Sequence, residues 1–265
     1  MRRLDVNNKT AWITGASSGI GRAVALELSS RGCKVALSSR SKDTLREVSD
    51  QCINDSAIFP LDVTDKEKNQ TVVESVVDHF GGIDIAFFNA GVFGVLGDSA
   101  FDAEVFEWNM RVNYLGMVYG IEAVLPHLRE SEEGYLVGMS SAATYTPLAR
   151  GSAYGSSKTA VKYMLDSLYF EWDEKGVDVD VSVVSPGVVK TPMTEKEDFP
   201  YEPPPSFLEV SPDWAGNYIV NKMEKKQHEI SFPKTMILLF KLMSVIPYPL
   251  YPWVQSLMSR LNVRK

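Results

Sequence analysis

Tyr154 and Lys158 stand four residues apart at the head of a helical stretch that opens at Ser152. That spacing brings a phenol and an ammonium onto one face of a helix. Taken alone, such a pair is an ordinary surface neighbourhood, but two further residues give it meaning. Ser141 follows the apolar run Leu136–Met139, at the carboxyl end of a strand, where active sites form in open parallel sheets. Asn113, in Arg-Val-Asn-Tyr-Leu-Gly, falls mid-helix, where a short polar amide gains little from propensity.

A second constellation lies near the amino terminus. Gly15, Gly19 and Gly21 occur in Thr14-Gly-Ala-Ser-Ser-Gly-Ile-Gly, directly after the apolar run Ala11-Trp-Ile-Thr14. A strand that breaks into a glycine-rich turn and re-enters as a helix offers backbone N–H groups and the positive helix end to a phosphate. Glycine leaves no Cβ between the backbone and a pyrophosphate. Ser17, Ser18 and Ile20 complete that turn, which reads as a dinucleotide cradle.

The elements that must hold these groups alternate. Apolar, β-branched runs recur at Ala11–Thr14, Lys34–Ser38, Ala57–Leu61, Ile83–Phe88, Tyr135–Met139 and Val179–Val184, with a last short strand expected around His228–Phe232. Between them, helical periodicity spans Ile20–Arg31, Lys42–Cys52, Lys66–Phe80, Ala103–Leu128 and Ser152–Lys175. Such alternation predicts an α/β fold of Rossmann type, a doubly wound parallel sheet of about seven strands with helices on both faces. The 265 residues are expected to form one domain. Within it, the proline-rich stretch 186–211 is expected to be a substrate loop, and 234–265 an apolar carboxyl-terminal extension.

Composition narrows the function classes. A net charge of −7 argues against nucleic acid as a partner. Cys33 and Cys52 have neither metal-ligand spacing nor a disulfide framework, and the three histidines are scattered, so no metal is expected. The chain runs from Met1 almost directly into its first strand, which leaves no room for a signal peptide and points to a soluble, cytoplasmic enzyme.

Together, the glycine turn, Asn113, Ser141 and the Tyr154/Lys158 pair closely resemble the short-chain dehydrogenase/reductase family, in its short single-domain branch, over about residues 8 to 232. The resemblance implies hydride transfer between a nicotinamide cofactor and a carbonyl or secondary alcohol. It makes Tyr154 the proton donor or acceptor at the substrate oxygen and Ser141 a hydrogen-bond partner of that oxygen. Lys158 would bind the ribose and lower the tyrosine pKa, and Asn113 would hold a water linking the lysine to solvent. A free phenol ionises near pH 10, so bringing it about three units down requires roughly 4 kcal/mol from a neighbouring cation. The same resemblance gives Asp62 and Val63 to the adenine, Asn89, Ala90 and Gly91 to the ribose wall, and Pro186, Gly187, Val189 and Thr191 to the carboxamide. Phe88 stands where the family's turn has its first Asn.

NAD-selective sites carry an acid about 20 positions beyond the glycines. Here Ser39 occupies it, followed by Arg40 and Ser41. A guanidinium can pair with a 2′-phosphate, whereas a carboxylate would repel it. The expected cofactor is therefore NADP, with NAD less favoured; Asp43 is the residue that complicates this choice. The tail Met236–Ile246 is strongly apolar, but Lys241, Pro247, Pro249 and Pro252 argue against a spanning helix. It is expected to be a lid, a subunit interface in a homodimer or homotetramer, or a peripheral membrane contact, and an apolar or lipid-like substrate is expected with it. The alternatives are a non-catalytic dinucleotide sensor, which should lack Tyr154 or Lys158, and a membrane-surface scaffold.

Overall fold

The computed structural model of the chain describes residues 3–97, 100–196, 199–201 and 208–250. Outside them lie the triplet Pro203–Pro205 and Phe207 of the proline-rich stretch, and Ser256–Val263 of the apolar extension, over which the sequence suggests one or two further helical turns. Seven strands form one sheet: β1 (Thr10–Thr14), β2 (Lys34–Ser38), β3 (Ser56–Ile58), β4 (Ile85–Phe88), β5 (Gly134–Met139), β6 (Val179–Pro186) and β7 (Glu229–Phe232). All pair in parallel, in the order β3-β2-β1-β4-β5-β6-β7. The chain order reverses between β1 and β4, and a crevice opens at the carboxyl ends of strands at such a switch point.

Successive side chains of a strand face opposite ways, so both faces need cover. On β1, Ala11 and Ile13 join Val35, Leu37, Phe87, Val137 and Val184 in one buried layer. Trp12 turns to the other, with Ala36, Ala86, Phe88, Leu136 and Val183. The first layer packs against α1 (Gly19–Ser30), α2 (Lys42–Ser49) and α7 (Pro212–Met223). The second packs against α3 (Lys66–Phe80), α5 (Gly116–Glu130) and α6 (Ser152–Lys175). Side-chain caps start α2, α3 and α7, from Ser41, Asp65 and Ser211. The cap Ser211 with Pro212 just inside the helix was a readable start signal for α7.

The helical stretch after β4 departs from expectation. The single helix over Ala103–Leu128 is divided into α4 (Ala103–Met110), a π-helical turn at Arg111–Leu115, and α5. The wider turn carries Asn113 inward. Its Oδ1 accepts from the Val92 N–H at 2.7 Å, and its Nδ2 donates to the Val92 carbonyl at 3.0 Å and to Ser157 Oγ at 2.9 Å. The tail begins as α8 (Lys234–Ser244), which buries Met236, Ile237, Phe240 and Met243 against Ala142, Leu148, Val188 and Leu208. No helix among the described residues is long and apolar enough to cross a membrane.

Candidate active site

The glycine turn is shaped by close approach. A Cβ on Gly21 would lie 2.3 Å from the Gly15 carbonyl oxygen and 2.4 Å from Asn89 Nδ2, and Gly15 itself has φ +65°. Only glycine fits both requirements. The loop after β4 holds the turn in place: Asn89 Nδ2 donates to the Gly15 carbonyl at 3.0 Å, and Thr14 Oγ1 accepts from the backbone N–H groups of Asn89 and Ala90 at 3.1 and 3.2 Å. The first turn of α1 has no side-chain cap at Ser18 and no acidic residue. Its N–H groups are thus left for an anion, and the cradle fits a dinucleotide pyrophosphate.

A cleft of about 820 Å³ runs along the carboxyl ends of the strands. Its walls include Gly15, Ser17, Ser18, Gly19 and Ile20; Arg40, Ser41, Asp62 and Val63; Asn89, Ala90 and Gly91; Ser141, Tyr154 and Lys158; and Pro186, Gly187, Val189 and Thr191. Of the site residues proposed from sequence, only Gly21 and Asn113 stay behind the wall, one under the glycine turn and the other clamping Val92. Asp62 is folded onto its own loop, its Oδ1 accepting from the Thr64 N–H at 3.0 Å and the Thr64 hydroxyl at 2.8 Å. Burial alone would raise its pKa, but those bonds and the Arg40 charge outweigh it and hold the carboxyl below the usual range. Asp43, on the first turn of α2, does not line the cleft.

At the other end the walls are apolar. The Phe93 ring lies 4.4 Å from that of Tyr154, with Phe199 at 5.2 Å and Tyr201 at 6.2 Å from Phe93. Tyr201 donates to the Ala149 carbonyl at 2.7 Å, which draws the loop after β6 over the cleft. Met193, Leu208 and the α8 residues Met236, Leu239 and Phe240 complete this end.

These features agree with comparisons to known proteins. Residues 9–200 match the family model described as short chain dehydrogenase. The chain belongs to the short-chain dehydrogenase family. An uncharacterised oxidoreductase of Staphylococcus epidermidis is 36% identical over 196 residues, covering 73% of this chain and 84% of that protein. One of Listeria monocytogenes is 33% identical over 195 residues, 72% of this chain and 79% of the relative. The crystal structure of a short-chain dehydrogenase/reductase from Burkholderia phymatum in complex with NAD shares the fold, with a TM-score of 0.81 over 91% of this chain and 94% of that one at 23% identity. The protein is therefore an oxidoreductase of this family, acting on CH–OH groups.

Burial governs the electrostatics of this dehydrogenase site. Lys158 is buried, and its Nζ donates to the Met139 carbonyl at 2.9 Å while lying 6.0 Å from the centre of the Tyr154 ring. With no carboxylate beside it, burial lowers its pKa to about 8. Burial also pushes the Tyr154 phenol up, opposed by its hydrogen bond with Ser141. Desolvation is thus the largest influence on both groups. Phe93 was not found from sequence, and the tail, for which a lid was one of the expected roles, was given no side chains facing the cleft. Phe93 sits four residues beyond Asn89 on the same loop, a spacing that could have flagged it; the α8 contact has no local signal.

Proposed function

We propose that this dehydrogenase interconverts a carbonyl and a secondary alcohol with NADP as cofactor, on an apolar substrate. The observation that carries the proposal is the two-ended cleft, with a guanidinium and hydroxyls at one end and aromatic and aliphatic walls at the other. The acid expected of an NAD-selective site is replaced by Ser39, next to the exposed Arg40. The Burkholderia relative holds NAD, so this choice rests on the side chains of the present chain.

When bound, the nicotinamide supplies or accepts the hydride. Tyr154 gives a proton to the substrate oxygen in reduction and takes it back in oxidation. Ser141 holds that oxygen from the other side and steadies the phenol. Lys158 stands to bind the cofactor ribose, and a ribose hydroxyl on its ammonium would stabilise the charged form, strengthening its effect on Tyr154. Asn113 fixes Val92 and Ser157, and Ser157 lies on the helix turn between Tyr154 and Lys158; in this chain its side chain is a positioning group. Asn89 secures the glycine turn, and Thr191, whose Cγ2 approaches Gly19, closes the carboxamide side. Segment 186–211 serves as the substrate loop.

The test is a titration of both nicotinamide cofactors followed by a carbonyl panel read by NADPH absorbance. Tighter binding of NADPH and turnover that rises with ketone apolarity are expected. Equal affinities, or preference for small polar ketones, would overturn the proposal.

A further inference from the structure

The inner face of α8 is accounted for by Met236, Ile237, Phe240 and Met243, which are buried. Its outer face is apolar as well. Leu238, Leu242 and Val245 are 60, 57 and 75% exposed, and at 100° per residue the three fall within one narrow sector of the helix. Lys234 and Lys241 border that sector on one side, and Leu239 borders it on the other. Leu239 also lines the cleft, so the exposed stripe and the substrate end are continuous.

Charge indicates which partner fits. Residues 234–265 carry Lys234, Lys241, Arg260, Arg264 and Lys265 and not one aspartate or glutamate, in a chain whose net charge is −7. Lys241 is engaged by Glu229 at 3.0 Å, while Lys234 is exposed with no ion-pair partner among the described residues. A second copy pairing through this same face would set lysine against lysine and gain nothing from those charges. An anionic bilayer would, because apolar side chains enter the interface while lysines stay among headgroup phosphates.

We propose that the outer face of α8 docks on an anionic lipid surface. Leu238, Leu242 and Val245 enter the interface, and Lys234 lies at headgroup level. Docking sets Leu239, at the mouth of the cleft, against the membrane, so an apolar substrate can pass from lipid to Tyr154 with little exposure to water. The docking stands independently of the catalytic proposal, whereas the delivery route rests on it.

The full-length protein would be centrifuged with vesicles of phosphatidylcholine alone and of phosphatidylcholine with phosphatidylglycerol. Co-sedimentation with the anionic vesicles is expected, weakening as salt is raised. The double variant Leu238→Asp/Leu242→Asp should reduce the bound fraction at least about tenfold. Lys234→Glu, which leaves the apolar stripe whole, should reduce it on the order of fivefold or more. Both sets of side chains are exposed, and unchanged melting curves would show that the variants are folded. Equal binding to neutral vesicles would overturn the anionic requirement. No binding, or a dimer in sedimentation velocity that the double variant dissociates, would overturn the proposal. The vesicle readout needs no turnover, so failure of the activity assay and failure of docking are distinguishable.

Discussion

Lys158→Met tests the electrostatics of the site without any substrate. Lys158 is 4% exposed, and its ammonium faces one carbonyl with no carboxylate in contact. Depression of its pKa from 10.5 to about 8 corresponds to about 3 kcal/mol of folding free energy, as an upper bound. Below about pH 8 the lysine is charged in both states and the folded protein bears the whole desolvation cost. Between about pH 8 and 10.5 the folded state has released the proton while the unfolded chain still holds it, so this group adds stability as pH rises. Above that range the cost is gone. Burial raises the pKa of Cys33, Cys52 and Tyr201, which acts in the opposite sense over the same range, so the comparison must be between wild type and variant. In urea unfolding without cofactor, Lys158→Met should be the more stable protein near pH 7, by up to about 3 kcal/mol, and the gap should close toward pH 10.5. A gap independent of pH, or a variant less stable at pH 7, would refute the burial account.

Other expectations follow from single contacts. Arg40→Ala should weaken NADPH by about 1.5–3 kcal/mol and leave NADH unchanged in fluorescence titrations. Gly21→Ala forces a Cβ against the Gly15 carbonyl and Asn89; a stability loss of about 1–3 kcal/mol is expected in a thermal melt, with loss of cofactor binding. Leu239→Ser should raise KM roughly tenfold for a bulky apolar ketone and leave a small water-soluble one unaffected, in steady-state assays.

Much of this site was readable because its signals are local. The glycine turn follows its strand within a few residues, Tyr154 and Lys158 share a helix face, and Ser141 ends an apolar run. Contacts made by distant segments were not readable. Phe93 reaches Tyr154 from the loop after β4, and α8 meets Ala142 from the far end of the chain. The π turn at Asn113 has no propensity signature, since what widens the helix is an amide drawn to Val92 and Ser157. Deleting residues from Thr235 onward would be a blunt test of the lid expected of the tail, because α8 packs on Ala142. Such a truncation would strip a buried face from beside Ser141, so point changes on the outer face and at Leu239 report more cleanly.

The central claim is that Tyr154 moves the proton at the substrate oxygen. Tyr154→Phe keeps the ring against Phe93 and removes only the hydroxyl. Turnover and NADPH affinity measured on that one variant decide the matter. Loss of turnover by about a hundredfold or more, with cofactor affinity and melting temperature close to wild type, is the predicted result. Turnover at the wild-type rate would contradict it.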